Sequence, residues 1–582
     1  MNKGSEMHFK NKKHNYPLYE TTHFKEFREM VENVAAKYPD RYALTYKKKP
    51  TDKEELHYTY TEGKEYVRDL GTEFHAMGLE DKNVALIGET SPGWIFSYFA
   101  LMASGAVTIP IDKDLPVDDI ASILNTAECR YAVLSSAVAK KAEELREKVP
   151  TLDTVIEIGD GAIAGALTLE TLRLAGREKF LAGDNTYYDY KVDKDKLASI
   201  VFTSGTTGKG KGVMLTQGNI CSDMEQGMYN FQITEKTVMV LPPHHTFGST
   251  VNIVGHYSQG CEICISSGIR YVVNELKEYK PTHMVLVPLF VETFYKKILS
   301  TAEKTGKLKM LQKMIAVSNK LRRVGIDLRR VLFKSVLENF GGKIVMIICG
   351  GAALHQDIID FFDGIGITVM NGYGITECAP LISCNRNEYR KDGSVGLPII
   401  GGKVKILDPD ENGEGEICYK GPNVMIGYYK NEEATAAAID EEGYFHTGDY
   451  GKILTEGEDQ WIYITGRLKN LIIFSNGKNV YPEELETDIQ GVYGVGEVVV
   501  YAGESKSDPS KEVIVAEIYP DEEALKLRNI TDPASYFEEA IKEINRKNVS
   551  YKAIGKVKLR SEEFPKNTSR KITRFAIDKS ID

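Results

Sequence analysis

From Thr203 to Gly212 the chain carries four hydroxyl residues (Thr203, Ser204, Thr206, Thr207), four glycines and two lysines (Lys209, Lys211) within ten positions. That combination suits anion binding. Glycines such as Gly205 and Gly208 let the backbone approach a ligand closely and adopt φ > 0. Consecutive N–H groups can then converge on one anion. The hydroxyls add neutral donors and the lysines positive charge, so the expected ligand is a polyphosphate. A flexible surface turn would not need this density of hydroxyls and lysines between two apolar runs. Gly205 to Lys211 also matches the start of a P-loop, but position 212 is glycine where Ser or Thr would hold Mg²⁺. The following Val213-Met214-Leu215 reads as a strand, whereas a P-loop needs a helix there.

Five further clusters follow. Residues 343–349 read as a strand running into Gly350-Gly351-Ala352-Ala353, and open α/β sheets bind ligands at such carboxyl ends. A strand over 367–370 leads into Asn371-Gly372-Tyr373-Gly374-Ile375-Thr376-Glu377. There Tyr373 offers a flat face to a purine, Thr376 a hydroxyl, and Glu377 a hard oxygen ligand for Mg²⁺. Gly443 to Asp449 and Gly466-Arg467-Leu468-Lys469-Asn470 come next, and Phe564 to Ile572 lies near the end. Taken singly, Asp449 reads as a turn aspartate and Lys571 as a surface lysine.

The series resembles the adenylate-forming superfamily of acyl-CoA synthetases, luciferases and nonribosomal-peptide adenylation domains. The phosphate signature T-S-G-T-T-G-x-P-K-G-V followed by T-H-x-N stands here as 203–213 and 216–219, with Gly210 for proline and Gln217 for histidine. The resemblance runs from about Tyr19 to Arg574 and extends to bacterial long-chain fatty acyl-CoA synthetases. It implies that 203–208 and Lys211 hold the ATP phosphates and that Gly351, Ala352, Tyr373 and Gly374 line the adenine. Asp449 would accept both ribose hydroxyls, a geometry that suits a carboxylate. Arg467 would lie near ribose and phosphate, and Lys469 would be the hinge. In P-K-T-x-S-G-K, here Pro565 to Lys571, Asn567 replaces threonine and Arg570 replaces glycine; Lys571 is the matched catalytic lysine. Glu377 would carry Mg²⁺ and, with Thr376, would stand beside Lys571 among the catalytic residues, and His245 and Phe247 would border the acyl site.

The resemblance therefore implies an α/β fold. Residues 1–466 would form a large domain of stacked βαβ sheets with a β-rich subdomain, 467–470 a hinge, and 471–582 a small mobile α+β lid. The implied reaction turns a carboxylic acid, ATP and coenzyme A into acyl-CoA, AMP and pyrophosphate, with a medium- or long-chain fatty acid as the favoured substrate. An acyl carrier protein thiol, an aryl acid, or a non-catalytic nucleotide-binding role are the alternatives. A G-x-S-x-G elbow for a Ser–His hydrolase is lacking.

With 582 residues the chain exceeds one core. Its net charge of −10 argues against nucleic acid as a partner. Eight cysteines, of which only Cys261 and Cys264 are close, suit buried thiols in a reducing cytoplasm. The first sixteen residues are polar and basic, unlike a signal peptide. Residues 90–111 carry no charge, but their prolines and glycines favour a buried helix (94–104) and a strand (106–111) over a membrane span. Alternating strands and helices from residue 84 imply βαβ units, and 155–190 is expected to be peripheral loops and short helices. Residues 291–339 read as a helical, basic insert. Its bases are expected to be a solvated face, with peripheral contact to anionic lipid or an acidic partner as the other reading.

Overall fold

The computed structural model describes residues 19–203, 210–233, 235–387, 389–474, 479–504, 513–566 and 572–581. Two large sheets dominate. The first has eight strands in the order Gly427–Tyr428, Lys211–Thr216, Leu197–Thr203, Val107–Ile111, Asn83–Ile87, Tyr131–Ser135, Thr154–Ile158 and Leu167–Thr168. Its centre is parallel, and its strands are apolar on both faces because helices cover both sides. The second has nine strands, with Thr368–Gly374, Met346–Cys349, His283–Leu286, Lys236–Met239, Glu262–Ile265 and Tyr42–Tyr46 as its parallel core.

The uncharged stretch at 90–111 resolves into helix Pro92–Ala103 and strand Val107–Ile111. Pro92 stands in the first turn, and the Ser91 hydroxyl accepts from the Trp94 N–H at 3.2 Å to cap it. Every described side-chain position from Trp94 to Ala103 is buried. This helix is the centre of the apolar layer between the two sheets: Trp94, Phe96, Tyr98 and Phe99 are 2% exposed or less. No described helix is long and apolar enough to cross a membrane.

The Leu197–Thr203 and Lys211–Thr216 strands pair antiparallel, and their register ends with Thr203 opposite Lys211. Lys211–Thr216 being a strand rejects the P-loop alternative, as expected. A capping box follows: Thr216 and Asn219 exchange bonds at 2.9 Å each and open helix Gln217–Met228.

The 155–190 expectation needs correction. Thr154–Ile158 is a sheet strand paired parallel with Tyr131–Ser135, and Leu169–Leu181 is a helix of 13 residues. Interspersed Gly and Asp hide this pattern, and the buried side of the strand is supplied by neighbours distant in sequence.

A four-stranded antiparallel sheet (Lys403–Leu407, Gly415–Lys420, Phe445–Glu456, Asp459–Arg467) forms the β-rich unit. Beyond it, residues from Ile472 onward build a separate apolar core around the Val495–Gly503, Val513–Pro520 and Ile554–Leu559 strands. Its contacts with the larger part are mostly polar. Lys296 Nζ donates to the Val495 carbonyl at 3.0 Å, Arg528 pairs with Glu303 at 3.0 Å, and Tyr450 stacks on Tyr481 with centroids 4.6 Å apart.

The helical insert is anchored by one buried carboxylate. Asp363, on helix Gln356–Ile365, meets Arg322 at 2.8 Å, Arg390 at 3.4 Å and Arg329 at 3.5 Å, and both the Arg322 and Asp363 side chains are 3% exposed or less. Asp363→Ala would leave Arg322 buried without its carboxylate. The expected cost is about 3–5 kcal/mol, read as a fall in the urea unfolding midpoint at unchanged slope.

Candidate functional site

The strand Thr368–Gly374 carries Tyr373 to its carboxyl end, with the ring buried. The Tyr373 hydroxyl donates to Asp449 Oδ2 at 2.8 Å. Arg467 Nε meets the other oxygen, Asp449 Oδ1, also at 2.8 Å. Asp449 and Arg467 face each other because Phe445–Glu456 and Asp459–Arg467 pair antiparallel in that register. Asp449 is 3% exposed, so its carboxylate is sheltered from water, while the Arg467 side chain that pairs with it is 43% exposed. Each carboxylate oxygen retains a second lone pair for an incoming hydroxyl.

Glu377 stands in the one-turn helix Thr376–Cys378 that follows. Its Oε1 accepts from the Tyr428 hydroxyl at 2.8 Å. Burial pushes its carboxyl above the usual range, and the Tyr428 bond, Arg467 and Lys211 pull the other way. Lys211 sits with its ammonium 4.6 Å from the Tyr428 ring centroid, a cation–π contact. Thr203, Lys211, Tyr428 and Glu377 thus form a chain of contacts from the glycine-rich hairpin to the second sheet. Ser204, Gly205, Thr206, Thr207, Gly208 and Lys571 lie outside the described residues, as does Lys478.

The adenine candidates sit beside this cluster. Gly351 adopts φ +91°, in the left-handed region that glycine favours, and Ala352 is exposed. A side chain on neighbouring Gly350 would meet the Gly372 carbonyl at 3.2 Å and Phe247 at 3.3 Å. Phe247 opens the π-helix Phe247–Gly255, a helix type common at functional sites. The His245 carbonyl accepts from the Gly248 and Ser249 N–H groups at 2.8 Å, which bends the chain into that helix. Lys469 lies in the single turn Leu468–Asn470, and Asn470 Nδ2 donates to Glu483 Oε1 at 2.5 Å.

Several residues of this region gave no signal in the sequence. Tyr428 reaches Glu377 only because Gly427–Tyr428 adds an edge strand to Lys211–Thr216. Asn423, fully buried, donates to the Cys378 and Leu381 carbonyls at 2.7 Å each and accepts from the Tyr419 hydroxyl at 2.8 Å, fixing the turn that carries Glu377. Its Gly-Pro-Asn setting was the one available hint. His244 Nε2 lies 3.5 Å from Asp112 Oδ2 and its ring 4.4 Å from that of His245. Burial holds the His244 imidazole below the ordinary range, against the pull of Asp112.

Glu416, Cys418 and His446 bring potential metal-ligating atoms within 4.8 Å of one another. The carboxylate is already engaged, however: Oε1 accepts from the Gly448 N–H at 2.9 Å and Oε2 lies 3.1 Å from His446 Nδ1. This cluster braces the Thr447–Gly448–Asp449 turn, in which Gly448 takes φ +68°.

Over residues 31–429, more than half of its length, the sequence matches the profile of the AMP-binding enzyme family. The chain belongs to that family. The mouse long-chain-fatty-acid–CoA ligase 6 is 28% identical over 476 residues, 76% of this chain and 66% of the mouse protein, so the match spans slightly less than two thirds of the relative's own length. A chloroplastic long-chain-fatty-acid–[acyl-carrier-protein] ligase of Arabidopsis thaliana is 27% identical, covering 80% of this chain and 73% of its own. Among solved structures, ATP-bound MatB from Rhodopseudomonas palustris superposes with a TM-score of 0.72 at 23% identity, covering 95% of this chain and 98% of that one. The anthranilate CoA ligase AuaEII bound to anthranoyl-AMP gives 0.74 at 17% identity, covering 96% and 97%. At these identities the structural likeness concerns the fold, and it spans both sheets and the C-terminal unit of this AMP-binding enzyme.

Tyr428→Phe tests the link between hairpin and carboxylate. Removing the donor leaves a buried Glu377 oxygen unsatisfied, with an expected stability loss of about 1–2 kcal/mol by chemical denaturation. The Glu377 carboxyl should also titrate higher than in the unsubstituted protein, since that hydrogen bond lowers it.

Proposed function

We propose that this AMP-binding enzyme is an AMP-forming acid–thiol ligase. It activates a carboxylic acid with ATP to acyl-AMP and pyrophosphate, then passes the acyl group to a thiol. The reading is carried by two contact sets beside the glycine-rich hairpin, Tyr373–Asp449–Arg467 and Glu377–Tyr428–Lys211, which the single segment 373–377 brings next to each other. A long-chain fatty acid is the favoured acid and coenzyme A the favoured thiol, supported by the mouse relative's name. An acyl carrier protein thiol is the second reading, supported by the name of the Arabidopsis relative.

In the first half-reaction an acid anion approaches the α-phosphorus of a polyanion, so the barrier is chiefly electrostatic. Lys211 and Arg467 supply cationic charge beside the Glu377–Asp449 pocket, and charge placed in advance costs no reorganisation during reaction. Asp449, held rigid by Tyr373 and Arg467, accepts the ribose hydroxyls and fixes the nucleotide in register. The carboxylate of Glu377 and the hydroxyl of Thr376 are hard oxygens that fit Mg²⁺, which when bound would neutralise phosphate charge. Lys571 is assigned the cation that completes adenylation.

The oxygen of the acid forms the new P–O bond as the bond to pyrophosphate breaks. In the second half-reaction the thiol sulfur attacks the acyl carbon, loses its proton, and AMP departs. We assign residues 467–470 as the pivot between a large part, 1–466, and a lid, 471–582. Rotation there would withdraw Lys571 and bring in the sequence Asn476-Gly477-Lys478-Asn479 between half-reactions, and the polar character of the lid contacts suits such motion.

Pyrophosphate release measured across carboxylic acids, with coenzyme A, with acyl carrier protein and with neither, tests the reading; no acid-dependent release from any acid would reject it. Lys571→Ala should abolish acyl-AMP formation while sparing thioester formation from supplied acyl-AMP, and equal loss of both contradicts its role. Glu377→Gln should lower adenylation by a factor on the order of 100; unchanged adenylation in the variant would reject its role.

A further inference from the structure

Ten basic residues and one acid (Asp327) fall between 304 and 334, in a chain whose net charge is −10. Six of those bases fall into two sets, while Lys304 and Lys334 pair with Glu523 and Glu338 at 3.9 and 4.0 Å. Arg322 and Arg329 are bound to Asp363, and Arg330 donates to the Ile344 and Gly342 carbonyls, so these hold the insert to the protein. Lys309, Lys313 and Lys320 are exposed and make no ion pair among the described residues.

Helix Leu308–Arg322 has two distinct faces. Leu311, Ser318 and Arg322 are buried, and Ile315 packs so closely that a side chain on Gly364 would meet it at 2.7 Å. At 3.6 residues per turn, Met310, Lys313, Val317 and Lys320 form one outward stripe, and Val324 continues it. Met310 is 53%, Val317 46% and Val324 71% exposed, with Val331 beyond them at 73%. Aliphatic side chains projecting among unpaired lysines do nothing for this fold.

We propose that this outer face of the insert docks on an anionic membrane surface. A second copy of the chain is disfavoured, because the patch would meet its own positive charge. A protein partner fits poorly as well. Protein interfaces enrich Trp, Tyr and Arg as anchors and deplete Lys, whereas this stripe offers lysines and slender aliphatics. Lysine heads at phosphate depth with valine and methionine side chains reaching the acyl boundary is the chemistry of an interfacial helix. The surface stands apart from the nucleotide cluster, so the inference does not depend on the reaction proposed above.

The test is flotation of the full chain with vesicles of phosphatidylcholine alone and of equal parts phosphatidylcholine and phosphatidylglycerol. The protein should float with the anionic vesicles only, and about 1 M salt should release it by shortening the screening length to roughly 3 Å. Lys309→Glu/Lys313→Glu/Lys320→Glu should lower partitioning on the order of 100-fold. Val324→Asn/Val331→Asn should lower it too, which a purely Coulombic attraction would not show. Both variants alter solvent-facing side chains, so unchanged thermal unfolding is expected and certifies that they are folded. Absence of the unsubstituted protein from anionic vesicles, or equal partitioning of the triple variant, overturns the proposal. So does binding of an acidic carrier protein that is lost in the triple variant while vesicle binding is absent.

Discussion

A carboxylate removed from water must be matched on every side, and Asp449 is where this requirement organises the molecule. Tyr373 reaches it from the nine-stranded sheet and Arg467 from the antiparallel sheet, each at 2.8 Å. An uncompensated charge there would cost several kcal/mol, so the three elements are held in one arrangement. The same contacts leave one lone pair unused on each carboxylate oxygen.

Charge and apolar mass are separated along the strands. Strands Asn83–Ile87 and Val107–Ile111 pack against helix Pro92–Ala103, inside an apolar core of aromatic and aliphatic side chains drawn from both sheets. The polar groups collect where the parallel strands end, since there the backbone leaves the ladder and the chain can turn outward. Turn geometry then supports the site: Asn423 holds the segment bearing Glu377, and Glu416 holds that bearing Asp449. Glu416 belongs to the β-rich unit and Asn423 to the segment that follows its second strand, so one stretch of chain braces both turns.

Electrostatics also separates what is fixed from what is free. Arg322, Arg329 and Arg330 of the insert turn inward to Asp363 and to carbonyls, while Lys309, Lys313 and Lys320 remain in solvent. Guanidinium, planar and weakly hydrated, tolerates burial better than ammonium. The C-terminal unit has its own apolar core and meets the rest through polar contacts, so the large apolar core is undisturbed by its position.

By itself the sequence determined the alternation of strands and helices, the hairpin flanking the glycine-rich run, the helix–strand nature of residues 90–111, and the order of the polar clusters. Those follow from local chemistry: periodicity, capping residues, and glycine or proline where the backbone must turn. It misled at 155–190, where a sheet strand and a long helix depend on neighbours far away in the chain. Only the tertiary structure decided that Tyr373 bonds Asp449 rather than standing free, that Tyr428 bridges Lys211 to Glu377, and that Glu416 and Asn423 brace the turns beside them. It likewise decided which of the insert's bases are buried partners and which face solvent. Such pairings join residues tens to hundreds of positions apart, and register between sheets, which no local pattern encodes, brings them within bonding distance.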